Sequence, residues 1–127
     1  MTDFRTPLGK VRGLGSAKEG TDHFWHQRLT AAANIPLILF FIGFLIAING
    51  ADYEATRAAI ANPFVNLMLM LMIVSGLVHM RLGMQVVIED YVHAEGVKII
   101  LLVLSTFFTI AVGLASVIAL LRIAFGG

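Results

Sequence analysis

Formal charge is missing from three long windows of this chain. Between Arg28 and Asp52 lie 23 residues without Asp, Glu, Lys or Arg, as do the 23 between Arg57 and Arg81 and the 23 between Lys98 and Arg122. A helix that crosses a bilayer needs about 20 mostly apolar residues. The windows therefore predict three transmembrane helices, over roughly 28–50, 62–88 and 97–122. One such window would suit a buried helix of a soluble domain. Three within 127 residues, only 13% of them charged, leave too little polar surface for one, since soluble domains carry about 25% charged residues. A membrane β-barrel would show alternation over segments of about 10 residues. Runs such as Leu37-Ile38-Leu39-Phe40-Phe41-Ile42 do not alternate. The predicted fold class is all-α integral membrane, with a polar segment at 1–27 and a three-helix anchor domain at 28–127.

Composition closes several functional classes. The chain has no Cys, which excludes a disulfide framework, thiolate zinc, Fe–S ligation and a cysteine nucleophile. Its 9 Lys+Arg against 8 Asp+Glu lack the excess of a nucleic-acid binder. The first 27 residues hold no apolar core of a secretory signal. Thr21 or Asp22 is positioned to cap a helix running into span one, with Trp25 at the interface. Arg5, Lys10, Arg12, Lys18 and Arg28 precede or open that span, whereas the first loop offers only Arg57. Positive charge stays inside, so the N-terminus and second loop are expected in the cytoplasm or matrix, and the first loop and C-terminus outside.

Some features inside the spans read as packing. Pro36 removes a backbone donor and predicts a tolerated kink. Asn34 is expected to hydrogen-bond a neighbouring helix. Ala111, Ala115 and Ala119 recur every four residues, with Gly113 and Ser116 nearby, and allow close approach of a helix from this chain or another. His23 and His26 have the spacing of half a metal site, but nothing nearby completes it, and interface hydrogen bonding is the simpler reading.

Span two carries the chemistry. Ionisable groups within a span are costly and are functional candidates by default. Ser75, Gly76 and Gly83 share the helical face of His79, a gap fitted to a flat ring such as a porphyrin or to another helix. Eleven residues on, Asp90 returns to the His79 face about 16 Å along the axis, and Tyr91 follows it. A deep imidazole and a shallow Asp-Tyr pair suit a redox or proton path. An interhelical hydrogen bond explains His79 nearly as well as ligation. Arg81 lies about 200° from His79; it is expected to snorkel toward the cytoplasmic headgroups, with an ion pair to Glu89 or Asp90 as the weaker option.

The run His79-x-x-x-Gly83-x-x-x-x-x-x-Asp90-Tyr91 resembles the signature of the hydrophobic membrane-anchor (D) subunits of succinate dehydrogenase, respiratory complex II. The lead-in Arg5-Thr6-Pro7-Leu8-Gly9, Gly13-Leu14-Gly15-Ser16-Ala17 and Trp25-His26-Gln27-Arg28-Leu29-Thr30-Ala31 is similar to the alphaproteobacterial branch. The resemblance implies a subunit of the bacterial inner membrane that has no complete active site of its own. It would partner a flavoprotein, an iron–sulfur subunit and a second, cytochrome b anchor. It implies haem b with His79 as one axial ligand to the iron and the second ligand from the other anchor. It implies ubiquinone at Tyr91, supported by Asp90, and Arg28 near a haem propionate. Two other readings stand beside it: the anchor of a fumarate reductase, and a haem-free structural or transporter subunit in which His79 serves packing alone.

Overall fold

The computed structural model describes residues 4–13 and 19–126. Lys18 and residues 14–17 of the lead-in lie outside them. The described residues form five helices: α1 (Pro7–Arg12), α2 (Glu19–Ala47), α3 (Tyr53–Ala61), α4 (Pro63–Tyr91) and α5 (Glu95–Ala124). Three of them, from Gly20, Pro63 and Glu95 onward, are long and apolar enough to cross a membrane. A helix satisfies its backbone groups within itself, which hydrocarbon requires of any spanning segment. The protein is a multi-pass membrane protein of all-α class.

α2 overruns its charge-free window at its start, α4 at its end and α5 at both, because a helix need not stop where hydrocarbon does. Thr21 and Asp22 were the expected caps; both instead lie inside α2, which starts at Glu19. From Glu19 onward the end of the polar lead-in and the first span are one continuous helix, and Pro36 sits within it. At the other end α4 runs on to Tyr91, so Asp90 and Tyr91 form its last turn.

The loop after span one contains a helix of its own. The Asp52 carboxylate accepts from Ala55 N at 2.8 Å and caps α3. One residue, Asn62, then separates α3 from α4. Its Oδ1 accepts from Phe64 N at 3.0 Å and Val65 N at 3.3 Å. Pro63 occupies the first position of α4, where its missing N–H costs nothing.

α4 is the middle of the bundle. It packs against α2 on one side and α5 on the other, the backbones of α2 and α5 do not come close among the described residues, and α3 lies across α4 and α5. Very little is enclosed by such a row. Leu37, Leu69, Leu82, Ile88 and Leu120 are the buried apolar residues, while long stretches of Ile, Leu, Val and Phe face outward. Hydrocarbon is as apolar as leucine, so small residues and polar contacts must hold the helices together. Asn66 is the clearest polar contact. It is 4% exposed, and its Nδ2 donates to Ile60 O at 3.1 Å and Leu120 O at 2.9 Å. A Cβ on Gly113 would meet Leu77 Cδ1 at 3.3 Å, so α5 lies close to α4 there. Ala111, Ala115 and Ala119, by contrast, are exposed. That small-residue stripe does not serve packing within this chain.

Candidate functional site

His79 lies on the side of α4 that faces α2. Its Nδ1 is 3.1 Å from Thr30 Oγ1. The Thr30 hydroxyl also lies 2.7 Å from His26 O and 3.1 Å from Gln27 O, within its own helix. A threonine hydroxyl has one hydrogen, and those two carbonyls claim it. One turn away on α4, Ser75 Oγ donates to Thr30 O at 3.4 Å. Thr30 is thus gripped at two points by α4. The interhelical hydrogen bond expected of a structural histidine is present, and it uses only one of the two ring nitrogens.

The second nitrogen is open. Nε2 of His79 has no partner among the described residues. It is also absent from the buried polar atoms that lack one, which are His23 Nε2, Gln27 Oε1 and Asn34 Oδ1. The His79 side chain as a whole is partly exposed. The small residues around the imidazole divide between two surroundings. α2 covers Ser75 through Thr30 and approaches Gly83, where a Cβ would lie 3.7 Å from Gln27 Nε2. A Cβ on Gly76 would meet nothing within 4 Å. Another helix fills part of the gap, and the Gly76 side stays open.

The three partnerless atoms form a pattern. His23, Gln27, Thr30 and Asn34 follow one another at spacings of four, three and four, which is one face of α2. Thr30 and Gln27 approach α4, and His23 joins Gln85, Val86 and Glu89 of α4 around a cleft that also includes Gly20. Pairing of Thr30 with Ser75 and His79, Gln27 with Gly83, and His23 with Gln85 makes α2 and α4 antiparallel. Asn34 was expected to bond a neighbouring helix; its Oδ1 has no partner. No group of three or more His, Asp or Glu side chains gathers among the described residues, and His23 and His26 do not grow into one.

Asp90 and Tyr91 close α4 at the surface. Tyr91 is 78% exposed; it lies twelve residues beyond His79, about 18 Å along the axis. The two sites share a helix without touching. Arg28 joins neither. Its guanidinium lies 4.9 Å from the centroid of the Phe24 ring, about 160° around α2 from Thr30. Arg81 is also separate, on the α5 side of α4. Its Nε donates to Thr106 Oγ1 at 3.3 Å. The alternative ion pair to Glu89 or Asp90 does not form, and Glu89 accepts from Gln85 Nε2 at 2.9 Å instead.

Thr30 and Asn66 were missed as contact residues. Asn66 had a readable signal, a lone amide in an apolar run. Thr30 had none, because 49 residues separate it from His79.

Comparison with known proteins adds identity to this geometry. Residues 2–119 match the model of the succinate dehydrogenase/fumarate reductase transmembrane subunit family. The chain is 34% identical over 121 residues to the succinate dehydrogenase hydrophobic membrane anchor subunit of Paracoccus denitrificans, covering 95% of this chain and 93% of that one. It is 32% identical over 117 residues to the subunit of the same name from Rickettsia bellii, covering 92% and 94%. The succinate dehydrogenase membrane anchor subunit of Reclinomonas americana is 31% identical over 86 residues, covering 65% of this chain and 72% of that one. With the family model spanning nearly its whole length, the chain belongs to the succinate dehydrogenase/fumarate reductase transmembrane subunits.

Proposed function

We propose that this chain anchors a succinate dehydrogenase in the bacterial inner membrane and contributes half of a haem b site and part of a ubiquinone site. The flavoprotein and iron–sulfur subunits would dock on the cytoplasmic side, with the N-terminus there and the C-terminus in the periplasm, as the basic residues favour. The chain is not catalytic alone; it is one subunit of an oxidoreductase.

The observation that carries the reading is the division of labour on His79. A histidine that ligates iron through Nε2 needs its Nδ1 proton held by an acceptor. Thr30 Oγ1 lies 3.1 Å from that Nδ1, while Nε2 is left without a partner. Gly76 leaves room beside the ring. These residues fit a haem at the edge of the α2–α4 pair. This chain offers one imidazole at that depth, so a bis-histidine site takes its other ligand from the second anchor. When bound, haem b supplies a one-electron iron couple.

The remaining work falls to the end of α4. The Tyr91 O–H donates to a carbonyl of ubiquinone from an exposed position at the membrane edge. Asp90 beside it accepts a hydrogen bond and relays protons from water. An aspartate at the edge keeps a charge hydrated that would be expensive deeper in the bilayer. Arg28 toward a propionate is carried by the resemblance alone, and its stacking on Phe24 gives it no support.

The alternative direction, fumarate reduction, keeps the same anchor architecture, because the family spans both. Purification of the tagged chain from its native membrane tests the class. A flavoprotein and an iron–sulfur protein should co-purify, with succinate-dependent reduction of ubiquinone. Recovery without them contradicts the proposal. A complex that reduces fumarate with a low-potential quinol, and reduces ubiquinone poorly, selects the alternative.

A further inference from the structure

We propose that Thr30 is a positioning residue for the haem, fixing the tautomer of His79 and raising the electron donation of its Nε2. The inference rests on the reading of His79 as an axial ligand and assigns the residue that makes it one.

The Thr30 hydroxyl carries one hydrogen, and its closest acceptor is His26 O at 2.7 Å, with Gln27 O at 3.1 Å. With that hydrogen committed inside α2, the oxygen faces His79 as an acceptor. The atom 3.1 Å away, Nδ1, must then supply the proton. A neutral imidazole protonated at Nδ1 has its lone pair on Nε2. The ring is thereby set in the one neutral form that can ligate through the open nitrogen.

Thr30 is itself held in register. Ser75 Oγ reaches the Thr30 carbonyl at 3.4 Å, one turn of α4 from His79. The acceptor and the imidazole are thus fixed to each other by α4 on both sides of the contact. In hydrocarbon no water stands ready to replace a lost acceptor, so the contact matters more than at a wet surface. An acceptor on the distal N–H raises ligand basicity. A more basic imidazole favours ferric over ferrous iron, so Thr30 lowers the haem potential. Loss of such an outer contact commonly weakens metal affinity about 10–100-fold.

Redox potentiometry of the intact purified complex tests this, read at the b-type haem bands. Thr30→Val keeps the branched shape and removes the acceptor. It should raise the midpoint potential and cause haem loss about tenfold more readily. Thr30→Ser keeps the hydroxyl and should restore both to wild-type values. If the valine chain fails to assemble, Thr30→Cys takes its place: the weak acceptor should give a potential above that of the serine variant. His79→Ala, measured alongside, separates the two claims. Loss of the haem band in His79→Ala with an unmoved potential in Thr30→Val, or in Thr30→Cys relative to serine, overturns the role of Thr30 alone. A full haem band in His79→Ala overturns the ligand assignment and this inference with it.

Discussion

The two sides of α4 use one device for opposite ends. On each side a threonine of the neighbouring helix turns its hydroxyl hydrogen back into its own helix and presents its oxygen to an ionisable residue of α4. Toward α5, Thr106 Oγ1 donates to Leu102 O at 2.9 Å and accepts from Arg81 Nε at 3.3 Å. Toward α2, Thr30 donates to His26 O and faces His79 Nδ1. Arginine has only donors, so the α5 contact has no lone pair to offer. Histidine keeps a lone pair on the nitrogen that Thr30 leaves alone. The chemistry of the residue, rather than the form of the contact, limits one side to a tie and leaves the other a nitrogen for the proposed ligation.

Polar satisfaction differs in the same way. The Asn66 amide on the α5 side reaches two carbonyls. On the α2 side His23, Gln27 and Asn34 each bury a polar atom without a partner, at roughly 1–3 kcal/mol apiece. A chain that stood alone would gain by replacing them with apolar residues. Their placement along the face that carries Thr30 fits a helix pair completed by other groups.

The widest expected break in this contrast lies at the end of α4. Tyr91→Phe should slow ubiquinone reduction about a hundredfold while succinate oxidation by an artificial dye continues, as a steady-state assay with both acceptors will read. Next in size is a pair of glycine variants. Gly76→Leu fills the open side beside His79 and should lower haem per complex about tenfold by overpacking, with the three-helix unit intact. Gly113→Leu pushes into Leu77 and should instead reduce the amount of assembled complex. Pyridine haemochrome against protein, together with the yield on size exclusion, distinguishes the two; equal behaviour would erase the distinction between the sides. The smallest effect is on the tie. Asn66→Leu should destabilise the bundle by about 1–2 kcal/mol, read as a lower unfolding midpoint in detergent with the haem spectrum unchanged.

Spans were legible because charge is excluded from hydrocarbon, and three gaps of equal length leave one interpretation. The candidate residues on α4 drew attention for the same reason, since His79 and Asp90 stand out against an apolar run. Helix ends were less so. Nothing in polarity stops α2 at residue 28, and it begins at Glu19. α3 went unread among the charges of the first loop, although Asp52 and the Asn62-Pro63 pair were signals for it. The Thr30 contact lay out of reach for another reason. Which residue of α2 meets His79 depends on how two helices slide past each other, and that register is fixed by packing along their whole length.

The central claim is that His79 holds haem through the nitrogen Thr30 leaves open. The reduced-minus-oxidised visible spectrum of the purified complex, wild type against His79→Ala, tests it most directly. A low-spin b-type band in the wild type that is lost or shifted in the variant is the predicted result. No b-type band in the wild type, or an identical band in His79→Ala, contradicts it.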